Sequence, residues 1–178
     1  MTFQKITIEP HITVKLKEVL EEISEVHSKK YVCNLEITVS AHAHVMYELQ
    51  DFFVDSNVSS IIRHITFILV GDYAQVTCTG QLKVAGSTVH DIRIVQIHKA
   101  AHTTSLSSIK MVLDDQAKVS YSGKVLIENS ASRANAVQEF RALVISQNAV
   151  ATAQPELEIL HNDVTCKHGV AIAYINKE

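Results

Sequence analysis

The stretch Ile65-Thr66-Phe67-Ile68-Leu69-Val70-Gly71-Asp72-Tyr73-Ala74-Gln75-Val76-Thr77-Cys78 decides the fold. Two runs rich in β-branched residues, each reading with period two, flank the polar break Gly71-Asp72, the pattern of two short strands joined by a turn. The same reading recurs at residues 35–39, 81–84, 91–97, 124–127, 142–145, 156–160 and 170–173. The chain is therefore all-β. Only five glycines and two prolines occur in 178 residues. Sandwiches and barrels built from tight hairpins usually need more turn glycines, so the turns here must tolerate Asn, Asp, Ser and Ala.

A loose Ala-x-Val pattern starts at Ala43, Ala74 and Ala117 and is echoed by Ala149-Val150, at uneven spacing with the widest step in the middle. Small residues at corners followed by apolar strands suit stacked coils, because a bulky corner would block the next rung. A β-solenoid is the architecture to test first. In such a coil Val125, Ile127, Leu143, Ile145, Leu157 and Ile159 are expected to stack as inward ladders, each worth roughly 1.5–3 kcal/mol of burial. One segment competes with the strand reading. Over residues 14–27, Leu16, Val19, Leu20, Ile23 and Val26 repeat at helical spacing, with Glu18, Glu21, Glu22 and Glu25 on the other face. A short N-terminal helix is expected there, although Ile12, Val14 and Leu16 also alternate as a strand would.

Length and composition bound the function. The chain is read as one domain, residues 1–178, with 1–30 as an N-terminal segment of unassigned structure. A net charge of −3 gives no basic footprint, so nucleic acid is a poor partner. No run approaches the ~18 apolar residues of a membrane span, and the N-terminus lacks a leader pattern, so a cytoplasmic protein is expected. Cys33, Cys78 and Cys166 are odd in number and far apart, which argues against a disulfide framework. Cys33 and Cys78 lie within apolar strands and read as core.

Two constellations carry candidate chemistry. Cys166 and His168 stand two apart, so on a strand they share a face with backbones about 6.5 Å apart. A thiolate and an imidazole so placed can both reach one soft or borderline metal, but two ligands cannot close a site. The ordinary structural account is a buried cysteine beside a surface histidine. The second constellation is His42-x-His44-x-x-x-Glu48, which resembles the first metal-binding motif of the cupins. The glycine expected about six residues earlier is missing, as is the later Gly/Pro motif. His98 and His102 have helical spacing in a β context, and His102-Thr103-Thr104-Ser105 reads as a turn whose hydroxyls satisfy backbone groups. No nucleophile elbow, Walker or Rossmann glycine pattern is present.

The run from Pro155 to Gly169 resembles the core-domain signature of the SufB/SufD family of iron–sulfur cluster assembly proteins, of the SufD type. It agrees at Pro155, Leu157, Glu158, Ile159, Asp163, Val164, Cys166, His168 and Gly169. Upstream, His102-Thr103-Thr104-Ser105, Ser122-Gly123-Lys124-Val125, Arg133-Ala134-Asn135-Ala136-Val137-Gln138 and Leu143-Val144-Ile145-Ser146 stand in the family's motif order. Ala134, Asn135 and Phe140 depart from it, as does Met111 where glycine is usual. The resemblance covers residues 91–170 firmly and 37–90 thinly.

The family resemblance implies a right-handed parallel β-helix and a non-catalytic scaffold that pairs through the end of its coil with a SufB-type subunit, or with itself as a dimer. It implies His168, with Cys166 beside it, as ligands to iron or a transient iron–sulfur cluster shared with that partner. The family's C-terminal helical segment, which contacts the SufC ATPase, is not seen before Glu178, so SufC docking is not expected of this stretch, which is either a core fragment or a reduced paralogue. Two alternatives stand beside this reading. One is a cupin-like metal enzyme using His42, His44 and Glu48; the other is a structural SufD paralogue without cluster chemistry.

Overall fold

The computed structural model describes residues 3–20, 30–51 and 58–175. Its strands are β1 (Phe3–Ile8), β2 (Thr13–Leu20), β3 (Lys30–Val39), β4 (His44–Asp51), β5 (Ser60–Leu69) and β6 (Gln75–Val84). They continue as β7 (Val89–His98), β8 (Thr104–Leu113), β9 (Lys118–Ile127), β10 (Asn135–Val144), β11 (Val150–Ile159) and β12 (Thr165–Tyr174). Odd strands form one six-stranded sheet in the order β1-β3-β5-β7-β9-β11, and even strands form the other, β2 to β12. Every adjacent pair is parallel. The chain therefore crosses from sheet to sheet at each corner and climbs one rung per two strands, a β-solenoid.

The helix expected over residues 14–27 is corrected. Residues 13–20 are strand β2, in register with β4 from Thr13–His44 to Leu20–Asp51, and residues 21–29 lie outside the described part. Tertiary pairing overrides the helical spacing, because β2 supplies the first rung of its sheet and its backbone groups are satisfied by β4.

The irregular alanine spacing is explained by the coil. Ser60 pairs with Val89 and Lys118 with Val150, and each such step along the chain is one full coil. Ala43 and Ala74 occupy one corner, before β4 and β6, whereas Ala117 and Ala149 occupy the opposite corner, before β9 and β11. The step from Ala74 to Ala117 is thus a coil and a half. All four alanines are buried, and each N–H donates to the carbonyl three residues back, closing the corner.

Corners also need residues in the left-handed region, and glycine supplies few of them. His11, His42, Tyr73, His102 and Arg133 carry φ values of 56–62°, one on each successive coil at the same corner, and Asp115 does so at the other. His and Asp tolerate this region better than most side chains. Four of the rings stack: His11 on His42 at 4.9 Å between centroids, His42 on Tyr73 at 5.0 Å, and Tyr73 on His102 at 4.6 Å. Gly71 is required for a different reason, since a Cβ there would lie 2.0 Å from the Ala41 backbone nitrogen.

The interior is one long apolar cluster from Ile8 to Ala151, continued toward the last rung by Val125, Ile127, Ala131, Ala134 and Ala136. Val125 and Ile127 point inward as expected, and Leu157 packs half-buried against them. Leu143 and Ile145 do not. The alternation of β10 places Ala142 and Val144 inside and Leu143 outside.

Candidate functional site at the open end of the coil

The last described rung leaves exposed or half-buried several side chains whose register partners one coil back are buried. Cys166 on β12 is in register with Ala136 on β10, and His168 with Gln138; both partners are buried. Cys166 and His168 therefore belong to the inward-facing set of their strand, at a level with no further strand stacked on it among the described residues. Cys166 is half-buried against the Val125–Ala136 cluster, and His168 is exposed. Burial pushes the Cys166 thiol above its ordinary pKa, which favours the protonated form. Ile159, Leu160, Val170, Tyr174 and Ile175 are large apolar side chains left exposed along the same rung.

Beneath His168 runs a polar column that sequence reading missed. Tyr47, Cys78, Ser107, Gln138 and His168 follow one another in register on β4, β6, β8, β10 and β12. Gln138 donates to Gln96 Oε1 across the interior at 3.3 Å, while its own Oε1 has no partner. Gly123 makes room for it, because a Cβ at Gly123 would lie 2.4 Å from Gln138 Oε1. A polar residue recurring once per coil was the available signal. It becomes legible only once the coil length is known.

Other buried polar groups have structural roles. Arg63, fully buried, donates through Nη1 and Nη2 to Asp51 at 2.7 and 2.8 Å and through Nε to Glu18 at 2.7 Å. Tyr31 and Tyr47 donate to the same Glu18. Burial, reinforced by the Glu18 charge, pushes the nearby Cys33 thiol up to about 11. Burial also holds the Cys78 thiol at about 12, so neither is an activated nucleophile. Thr103 donates to the Ala100 carbonyl and so accepts from His98 Nδ1 at 2.7 Å, leaving His98 Nε2 to accept from Ser105 at 2.8 Å. His98 is a neutral, satisfied core histidine, its pKa lowered to about 4 by burial. The expectation that the hydroxyls after His102 serve the backbone holds at Thr103.

The His42, His44 and Glu48 set does not assemble. His42 is at the corner, in the ring stack, and not on a strand with His44. His44 contacts Thr77 Oγ1 at 3.1 Å, and Glu48 pairs with Lys15 at 2.9 Å. Among the described residues no three His, Cys, Asp or Glu side chains converge on a metal position. Cys166 and His168 thus offer two donors of the right chemical type and no more. No helix among the described residues is long and apolar enough to cross a membrane.

The described fold is a parallel β-solenoid whose last described rung carries Cys166 and His168. Residues 22–178 match the family profile described as SUF system FeS cluster assembly, SufBD core domain, and the chain belongs to that family. It is 33% identical over 95 residues to the iron–sulfur cluster assembly SufBD family protein slr0076 of Synechocystis, covering 53% of this chain and 21% of that protein. It is 38% identical over 65 residues to the iron–sulfur cluster assembly protein SufD of Bacillus subtilis, covering 36% and 15%. A SufBD family protein of Staphylococcus saprophyticus is 23% identical over 128 residues, covering 71% and 28%. The chain thus spans less than a third of the length of these relatives.

Proposed function

We propose that this chain is a non-catalytic scaffold in iron–sulfur cluster assembly, contributing half of a cluster-nucleating site at the last described rung of its coil. Membership of the SufBD core family supplies the process. The observation that carries the residue assignment is the pairing of Cys166 with Ala136 and of His168 with Gln138. It places a thiol and an imidazole in the inward-facing set of the last described rung. Iron and sulfide are cargo here. His168, exposed and uncharged when deprotonated, is the principal ligand; Cys166 must lose its proton before it can bind, and burial opposes that. The remaining ligands come from a SufB-type subunit whose own strands continue the two sheets, covering Ile159, Val170 and Tyr174. Exposed strand edges and apolar residues at one end favour pairing over a free monomer. Docking of a SufC-type ATPase is not assigned to these residues.

The test is anaerobic cluster reconstitution with a SufB-type partner. His168→Ala combined with Cys166→Ala is expected to abolish the cluster absorbance while leaving the complex intact on gel filtration. His42→Ala is expected to leave the absorbance unchanged. Full absorbance from the double variant would leave this chain as a structural subunit without cluster chemistry.

A further inference from the structure

We infer that the outer face of the even-numbered sheet, over the second halves of β6, β8, β10 and β12, is a docking groove for an acidic amphipathic helix of a partner chain. A concavity of about 540 Å³ crosses these four strands. One register column, Lys83–Val112–Leu143–Ala173, forms much of its floor, and three of those four residues are apolar on a face that solvent reaches. Leu143 is the residue that alternation turned outward.

Two of the three cations around this floor, Lys83 and Lys110, have no carboxylate partner among the described residues. Lys110 and Arg141 are exposed and directly opposite each other in register, and Lys83 stands diagonally beside Lys110. Like charges in directly opposed positions cost stability. Elsewhere on the coil three outward lysines are neutralised: Lys5 by Glu36 at 2.9 Å, Lys15 by Glu48 at 2.9 Å, and Lys124 by Glu156 and Glu158 at 2.8 Å. Lys17, Lys118 and Lys167 have no carboxylate within 4 Å among the described residues, but none of them lines this groove. Among the described residues no carboxylate lies within 4 Å of Lys83 or Lys110, and Arg141 reaches only Glu139 on its own strand, at 3.6 Å. A cationic cluster over an apolar floor, in a chain of net charge −3, is completed by an anionic partner with an apolar stripe.

The shape selects a helix. The groove lies on the face of the sheet, where backbone groups are already paired within the ladders, so a strand could not be added there and recognition falls to side chains. Three strand spacings span about 14–15 Å, the length of about ten helical residues along the coil axis. Such a helix would set apolar residues at i, i+3, i+4 and i+7 on Val112, Leu143 and Ala173, with Glu or Asp flanking them toward the three cations.

The test titrates the full chain with a fluorescein-labelled helical peptide of about fourteen residues, carrying Leu at those positions and Glu on both flanks. A control peptide has Lys replacing Glu. The Glu peptide is expected to bind at least tenfold more tightly than the Lys peptide and to weaken several-fold between ~50 and ~300 mM salt. Lys110→Glu with Arg141→Glu should invert the preference, and Leu143→Ser should weaken binding of the Glu peptide at least tenfold; these side chains face outward, and a native circular dichroism spectrum confirms folding. Equal binding of both peptides, binding indifferent to Leu143→Ser, or a second copy of this chain occupying the face would each overturn the proposal.

Discussion

Cys166 stands in register with Ala136 across the β10–β12 ladder, and because Ala136 is buried, the Cys166 thiol belongs to the interior of a rung that has no cover among the described residues. Its accessibility should therefore depend on what covers that end. In the isolated chain at pH 8, iodoacetamide is expected to modify Cys166 while Cys78, fully buried with its thiol held at about 12, reacts only on unfolding. Adding the end-pairing partner should slow Cys166 modification at least tenfold. Mass spectrometry of tryptic peptides measures all three cysteines at once.

Acid should weaken the fold through two interior histidines. Unfolded, each titrates near 6.5; folded, burial lowers His98 to about 4, and burial plus the Arg63 charge lowers His90 to about 3. Below pH 6.5 the unfolded chain binds more protons, so stability falls as pH drops toward the folded values, at about 1.4 kcal/mol per unit per histidine. Their contribution is fully present above 6.5. Urea midpoints at pH 7 and 5.5 should show a loss of roughly 2–3 kcal/mol from these two residues. His90→Leu should remove about half of it, and should cost little at pH 7, because neither ring nitrogen of His90 has a partner.

Asp51 and Arg63 form a two-pronged buried pair at 2.7 and 2.8 Å. Asp51→Ala leaves the guanidinium with Glu18 and a lost partner in the interior. It is expected to destabilise the chain by about 3–5 kcal/mol, read from urea unfolding at pH 7. A cost below about 1 kcal/mol would mean that water reaches Arg63.

Gly71→Ala drives a Cβ into the Ala41 backbone, where nothing flexible can give way. A loss of about 3 kcal/mol or more is expected. Gly80→Ala clashes with the Ile109 side chain, 2.7 Å from Cδ1, and makes only ordinary contact with Leu49 Cβ at 3.6 Å, so it should be much milder. The difference in melting temperature between these two variants tests whether coil stacking at this corner is backbone on backbone.

Much of the architecture was written in local pattern. Period-two runs such as residues 65–69, buried alternately within β5, and the corner alanines carried the solenoid reading. Three things were not local. Residues 13–20 satisfy a helical period almost as well as a strand, and only β4 decides between them. Leu143 and Ile145 look like core in isolation, yet the inward parity of β10 is set by Ala136 and Phe140. His42 and His44 share parity on paper, but a positive φ at His42 turns the chain between them. That Cys166 and His168 share one face of β12 was legible from their spacing. The column beneath them was not, because Ser107 and Gln138 join it only through the register between successive coils.

In the proposed function, the last described rung holds half a site. Anaerobic loading with ferrous iron and sulfide, followed by gel filtration and iron analysis of each peak, tests it most directly. Iron and sulfide are expected to elute with the complex of this chain and a SufB-type subunit, to be lost with His168→Ala, and to be absent from this chain when it runs as a monomer. Iron retained in full by the isolated monomer, or by the complex carrying His168→Ala and Cys166→Ala, would contradict the account.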